Sequence, residues 1–158
     1  GPTKELTSSN LPLRGGKGEA WEGGIRVPFI LSWKGTLPAG KVIDAPVSSM
    51  DAAATALAVA GVDDSAKLQL DGANLMPLLT GKTSNAPHDT LFWRLGKKQA
   101  LRHSDWKLVR DGAAPWQLFN LASDIGETKN LAGEQPQRVK ELALRWEAWN
   151  AQQSDPLW

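Results

Sequence analysis

The sequence contains no cysteine, so it forms no disulfide bonds, and this absence is compatible with any cellular compartment. No apolar run approaches the roughly 20 residues that a helix needs to cross a bilayer. The 18 basic residues nearly balance the 17 acidic ones, and the formal net charge is +1. Without a basic field, neither nucleic acid nor a membrane surface is an expected partner.

Tyrosine is also absent, whereas tryptophan occurs eight times. A tryptophan side chain can fill a hydrophobic core or stack on a sugar ring, and core packing is the commoner role. The aromatic content therefore does not by itself indicate a carbohydrate site.

The most unusual stretch is residues 14–28, RGGKGEAWEGGIRVP, in which glycines stand among single charged residues. Glycine permits backbone conformations that a side chain would forbid, and it lets other groups approach closely. Lys17 lies between two glycines, and its ammonium group is a compact point charge suited to an oxyanion such as phosphate or sulfate. A solvated basic turn is the alternative interpretation of residues 14–26, here named the lysine loop.

An apolar run, VPFILSW at residues 27–33, follows the lysine loop. Its composition predicts a strand buried on both faces of an α/β sheet. A glycine-rich loop that presents a charge at the edge of such a sheet is a common way to build a binding site. The loop is not a Walker-type phosphate loop, because Gly18 follows Lys17 where that motif requires serine or threonine.

The sequence predicts a helix over residues 49–60. Ser48 and Asp51 have the spacing of a capping box, and Gly61 suits a left-handed C-terminal cap. Asp51 in the first turn is expected to interact favourably with the helix dipole.

Residues 82–89 have the composition of a linker, and His88 within them is expected to be exposed. The adjacent acids Asp63 and Asp64 are expected to form a solvated turn, not a metal site.

After the linker the pattern changes to a period of two, which predicts a four-stranded antiparallel sheet within residues 90–121. Gln135 and Pro136 begin a final helix, with proline in its first turn. Apolar residues then recur with helical spacing as far as Trp149, so this helix is expected to cover the apolar face of the sheet.

Several blocks together resemble the carboxy-terminal third of a bacterial arylsulfatase-like enzyme of the type I, formylglycine-dependent sulfatase family. In chain order they are PLRGGKGEAWEGGIRVPFILSWKG (12–35), SSMDAAATALAVAGV (48–62), DGANLMPLLTG (71–81), LFWR (91–94), ALRHSDWKLV (100–109) and LFNLASDIGETKNLA (118–132). The joint occurrence of these blocks is far more specific than any one of them.

The resemblance implies a fold of the α/β (α+β) class. Residues 1–81 would be the end of an alkaline-phosphatase-like α/β sheet domain, and residues 82–89 a linker. Residues 90–158 would be a small domain with a four-stranded antiparallel sheet and a C-terminal helix.

The resemblance also implies sulfate ester hydrolysis, with Lys17 as a catalytic electrostatic contact to the sulfate. Glu22 and Arg26 match the same block and are expected to brace the lysine loop. Turn and edge-packing roles are the alternatives for three further residues, which are candidates for substrate binding at the rim of the pocket: Trp93, Arg94 and His103.

Two features of the family are missing from this sequence. No cysteine or serine stands in the C/S-x-P/A-x-R motif from which formylglycine is made. The family's calcium ligands are an Asp pair near the family's start and an Asp-Asn pair just before the lysine loop, and neither pair is in this sequence. Formylglycine and calcium are therefore expected upstream, and no metal ligand is expected here. The sequence reads as a fragment, or as one chain of a cleaved enzyme, that would be inactive alone.

The expected partners are a sulfated small molecule or glycan, together with the upstream half of the protein or a second copy of this chain. The resemblance suggests a periplasmic or secreted location. A related phosphate or phosphonate ester hydrolase would use a similar cationic loop, and its upstream nucleophile would distinguish it. A non-catalytic carbohydrate-binding module would account for the tryptophans, and glycan binding by this chain alone would favour it.

Overall fold

A computed structural model describes residues 8–62 and 68–155 of the chain. These residues fall into two compact units. The sheet unit draws on the ranges Gly1–Pro28 and Thr90–Trp158, and the helix unit on Phe29–Asp89. The described helices are α1 (Glu22–Ile25), α2 (Met50–Val59), α3 (Met76–Leu79) and α4 (Pro136–Asn150).

The four strands of the sheet unit form an antiparallel meander in the order β1-β2-β3-β4. Turns of two residues connect β1 to β2 and β2 to β3, and Gly96 in the first turn has the positive φ, 55°, that such tight connections favour. The sheet predicted within 90–121 is confirmed. Its strands are β1 (Thr90–Leu95), β2 (Lys98–His103), β3 (Trp106–Asp111) and β4 (Gln117–Asn120).

Helix α4 covers one face of this sheet, as predicted. Phe92 of β1 stacks on Trp149 with ring centroids 5.0 Å apart. Because burying apolar surface is the main favourable term in folding, this layer fixes where the helix lies. The fully packed residues of this layer are Leu101, Leu108 and Leu118 from the sheet and Leu142 and Trp146 from the helix.

The lysine loop covers the opposite face of the same sheet. Trp21 of the loop meets Phe119 of β4 edge-on, with centroids 5.7 Å apart. Ala20 is buried in the same layer, against Ala100, Val109, Phe119 and Leu121. Both faces of the sheet are thus apolar and covered. The sequence had grouped the loop with residues up to 81, whereas the structure groups it with the sheet; the division into 1–81, 82–89 and 90–158 stays a prediction.

At the start of α2 the structure shows the carboxylate half of the predicted capping box, whereas the Ser48 hydroxyl bonds to Met50 and not to the N–H of Asp51. The backbone N–H of Ser48 donates to Asp51 Oδ2 at 2.7 Å, and Ser48 Oγ accepts the N–H of Met50 at 3.3 Å. Gly61 follows the helix with φ 74°, as a left-handed cap requires.

The prediction that His88 is exposed was wrong. Its side chain is only 12% exposed, and Nε2 lies 2.7 Å from Oδ1 of the fully buried Asp51. The same Oδ1 accepts the N–H of Ala73 at 2.8 Å. Asp51 therefore joins three segments of the helix unit in addition to capping α2. Asp63 and Asp64 lie outside the described residues.

The prediction of a buried strand at 27–33 was also wrong for this chain. The segment has no regular structure, and Val27 and Ile30 are 70% and 87% exposed. A strand of this kind is stabilised by neighbours on both edges. Among the described residues the only sheet is β1–β4, so no strand pairs with this segment.

Candidate functional site

Hydrogen bonds to the backbone close the lysine loop on itself. The side-chain amide of Asn10 donates to the carbonyl oxygens of Gly15 at 3.3 Å and Gly23 at 2.6 Å. The N–H of Gly23 donates to the carbonyl oxygen of Arg14 at 2.7 Å. These bonds hold the beginning and the end of the loop together and give it one defined path.

Two glycines of the loop are required by this close approach. A Cβ atom on Gly23 would clash with the backbone oxygens of Arg14 and Gly15, and one on Gly24 would clash with those of Gly16 and Glu19. The loop needs glycine at these two positions because its backbone segments pack directly against one another.

A buried ion cluster of Lys107, Glu22 and Glu127 anchors the loop to the sheet. Lys107 points from β3 to the loop-covered face, where its Nζ lies 2.9 Å from Glu22 Oε1 and 2.8 Å from Glu127 Oε1. The N–H of Glu22 donates to Glu127 Oε2 at 2.7 Å. None of the three residues is more than 2% exposed, so each charge depends on the others for its stabilisation.

The cluster holds two carboxylates and one ammonium group. Burial raises the pKa of the Glu127 carboxyl, and the Lys107 charge opposes this rise only in part. A carboxylate buried beside a second carboxylate is costly. Protonation of Glu127 therefore removes one of the two buried negative charges and stabilises the folded state.

Two arginines of the loop reinforce its anchor. The guanidinium carbon of Arg14 lies 3.6 Å from the ring centroid of Trp21, a cation–π contact, and Nη1 donates to the carbonyl oxygen of Glu127 at 3.0 Å. Arg26 Nη1 lies 3.8 Å from Glu22 Oε2, with its side chain half exposed. This contact is the one expected of a brace, although the bracing role of Glu22 and Arg26 stays a prediction.

Lys17 is exposed on this anchored backbone and makes no hydrogen bond or ion pair with another described residue. Its two neighbours in the chain are held by side chains. The N–H of Gly16 donates to Glu19 Oε2 at 2.8 Å, and the carbonyl oxygen of Gly18 accepts from Lys98 Nζ at 2.7 Å. The free ammonium group is therefore available to an anion.

The three rim candidates are not brought together with Lys17 as one group. Trp93 is partly buried on the loop-covered face. Arg94, the next residue in β1, points to the other face, where it donates to Asn150 Oδ1 at 2.6 Å and to the carbonyl oxygen of Ser154. His103 Nδ1 lies 3.0 Å from Thr90 Oγ1. Their roles in substrate binding stay predictions.

Three residues that shape the site had not been singled out from the sequence: Lys98, Lys107 and Glu127. The period-two pattern places Lys107 on the face opposite helix α4. The sequence predicts only one apolar face, the one that the helix covers. The signal for a second buried face was present, since Ala100, Val109 and Phe119 share the side of Lys107. No local pattern marks Glu127 as the partner of residues in the loop.

Within residues 8–62 and 68–155, no group of three or more His, Asp or Glu side chains could hold a metal ion. No helix in the same ranges is long and apolar enough to cross a membrane.

A family model for the C-terminal region of N-sulphoglucosamine sulphohydrolase matches residues 17–152. The chain belongs to the sulfatase family. It is 39% identical to mouse (Mus musculus) steryl-sulfatase over 121 residues, which are 75% of this chain and 18% of that protein. It is 34% identical to a sulfatase of Formosa agariphila over 164 residues, covering 92% of this chain and 29% of that protein.

Solved sulfatase structures share the fold of this sulfatase chain. The crystal structure of Ps i-CgsB in complex with k-i-k-neocarrahexaose matches with a TM-score of 0.83 and 31% identity, over 96% of this chain and 34% of that one. PsFucS1 sulfatase from Pseudoalteromonas sp. matches with a TM-score of 0.74 and 26% identity, over 89% and 32%. The predicted family is confirmed, and the chain spans about a fifth to a third of the length of these relatives.

We expect Lys107→Met to lower the free energy of unfolding by about 3–5 kcal/mol, because it leaves two carboxylates buried without their cation. Urea unfolding of the chain, followed by circular dichroism, measures this loss. Lys140→Met, at an exposed position of α4, is the matched control and should stay within about 0.5 kcal/mol of the wild type. Equal stability of the two variants would show that the cluster is not the anchor.

The raised pKa of Glu127 predicts a pH dependence of stability. The folded state binds this proton more tightly than the unfolded chain, whose reference pKa is 4.5. The stabilisation is thus complete below that pH and is lost as the pH rises through the folded-state value. Relative to Glu127→Gln, the wild type should lose stability as the pH is raised above 4.5. Urea titrations at several pH values test this, and parallel pH profiles would contradict it.

Proposed function

We propose that the chain forms the C-terminal part of a sulfatase that hydrolyses sulfate esters, and that Lys17 contacts the sulfate group. The observation that carries the proposal is an exposed lysine without a described partner on an anchored loop, in a chain of the sulfatase family. An ammonium group offers three hydrogen-bond donors and a full positive charge to an oxyanion. Fixed cations are most effective where negative charge develops during the reaction.

The chemistry that Lys17 supports has two parts. The ammonium group would first hold and orient the sulfate group of the ester. As the nucleophile from the rest of the protein bonds to sulfur, the bond from sulfur to the ester oxygen breaks and its electron pair leaves with the alcohol. The ammonium group would stabilise the negative charge carried by the sulfate oxygens around the reacting sulfur. Because the loop is anchored before substrate binds, little reorganisation accompanies this stabilisation.

The nucleophile and the metal are assigned to the rest of the sulfatase. The family resemblance implies a formylglycine nucleophile and calcium, but the described residues offer no metal-binding group and no serine of the chain stands in the formylglycine motif. The described residues therefore do not fit a metal, no residue of the sequence fits the formylglycine motif, and no reaction step is derived through either group.

The substrate class that we propose is a sulfated glycan. The similar structure with a TM-score of 0.83 is that of Ps i-CgsB with a neocarrahexaose, which supports a glycan; the similarity to steryl-sulfatase makes a small sulfated molecule the alternative. Trp93 is partly buried on the loop-covered face of the sheet, and of the three rim candidates we propose it as the one that contacts a sugar. A periplasmic or secreted location would suit such a substrate.

The lysine is tested in the complete sulfatase with Lys17→Ala. We expect turnover of a sulfate ester to fall by about 10²–10³-fold, the range found when one oxyanion-stabilising group is removed. Thermal unfolding should be unchanged, since an exposed side chain contributes little to stability. Lys17→Arg should recover only part of the turnover, because the planar guanidinium directs its donors differently.

Lys140→Ala, an exposed lysine of α4, is the control and should leave turnover unchanged. Near-normal turnover of Lys17→Ala would remove Lys17 from the mechanism. Faster hydrolysis of the matching phosphate ester by the wild type would instead favour a phosphate or phosphonate ester hydrolase. Sulfatase activity of residues 1–158 alone would contradict the assignment of the nucleophile to another part of the protein.

We also propose that the exposed segment 27–33 pairs with the rest of the sulfatase. Five of its apolar side chains are at least 43% exposed: Val27, Phe29, Ile30, Leu31 and Trp33. A contiguous apolar segment of this kind is typical of an interaction site. In the isolated chain the same segment would favour contact with a second copy.

The isolated chain should therefore self-associate, and Ile30→Lys should shift it towards the monomer because a charge at the most exposed apolar position opposes burial. Sedimentation velocity over a range of concentrations measures the change. Leu144→Lys, at a 56% exposed position of α4, is the matched control and should leave self-association unaltered. A wild-type chain that stays monomeric throughout would rule the proposal out.

A further inference from the structure

We infer that Lys98 is a positioning residue that sets the direction of Lys17; the inference rests on the proposed role of Lys17. Lys98 is the first residue of β2 and lies 80 positions from Gly18 in the sequence. Its Nζ donates to the carbonyl oxygen of Gly18 at 2.7 Å. The blocks that carry the family resemblance do not include this residue, and the sequence run GKKQ around it is typical of a turn.

The contact acts on the backbone next to Lys17. Gly18 has φ 82°, a conformation that residues with side chains rarely adopt. An added Cβ there would meet nothing within 4 Å, so no close contact on the side-chain side of Gly18 fixes its position. The bond from Lys98 supplies a direct contact to the peptide that follows Lys17.

A second side chain holds the other flank of Lys17. Glu19 Oε2 accepts the N–H of Gly16 at 2.8 Å. Residues 16–18 are thus held by one carboxylate from within the loop and one ammonium group from the sheet. The contact from Lys98 ties the residue next to Lys17 directly to the sheet.

The expected effect on catalysis is larger than the effect on stability. Lys98 is half-buried, and one hydrogen bond to a partly exposed carbonyl contributes about 1 kcal/mol to folding. By contrast, a catalytic group misplaced by about 1 Å can lower the rate by about 10²-fold. Substitution of a residue that only stabilises the fold would not lower kcat far more than it lowers stability.

The test is Lys98→Met in the complete sulfatase, which keeps most of the length of the side chain and removes the donor. We expect kcat for a sulfate ester to fall by at least about tenfold, with thermal unfolding within a few degrees of the wild type. Lys97→Met, at the exposed neighbouring position, is the matched control and should keep wild-type kcat. Lys98→Arg keeps a donor and should recover part of the loss.

A double-mutant cycle separates positioning from direct substrate contact. In the Lys17→Ala background, Lys98→Met should lower kcat by less than about twofold, because residues that act through one another are non-additive. A full additional loss in that background would mean that Lys98 contacts substrate itself and would overturn the inference. Loss of folding in Lys98→Met would also overturn it, by showing a purely structural role.

The two proposals fail in different ways. If Lys17→Ala lowers turnover while Lys98→Met leaves it unchanged, only the positioning role of Lys98 is wrong. If Lys17→Ala leaves turnover unchanged, the role of Lys17 is wrong and the inference about Lys98 falls with it.

Discussion

The ammonium group of Lys107, buried between the carboxylates of Glu22 and Glu127, is the interaction on which the sheet unit depends. It joins the beginning of β3, the helix that ends the lysine loop, and the segment after β4. Each of these segments contributes a charge that water would otherwise solvate. If one segment leaves the cluster, the remaining charges are buried without their full set of partners. The apolar contacts of Ala20 and Trp21 hold the loop against the sheet, and the ions determine which way it faces.

The sheet unit was largely predictable because its signals are local. The alternation in β1–β4, Pro136 at the start of α4 and the helical spacing of Leu142, Trp146 and Trp149 each specify an element without reference to distant residues. The bond from the Ser48 N–H to the Asp51 carboxylate was predictable for the same reason. The family blocks pointed to Lys17, but they did not indicate how its loop is held.

The remaining features depend on contacts between residues that are far apart in the sequence. His88 and Asp51 are 37 positions apart in the sequence, and Glu22 and Lys107 are 85 positions apart. Neither pairing can be predicted from a local sequence pattern. Residues 27–33 were misassigned for a related reason. Their composition describes a strand, yet a strand also needs neighbours, and within the described part of the chain none is paired with them.

The separation between Glu22 and Lys107 has a consequence for the order of events during synthesis. A nascent chain that has emerged as far as residue 89 already contains the whole lysine loop but none of the sheet residues that hold it. Closing this long connection costs chain entropy before any contact is gained. The lysine loop therefore gains its anchor on the sheet only after β3 and Glu127 have been synthesised, and a chain that stops short of them carries Lys17 on a loop without that anchor.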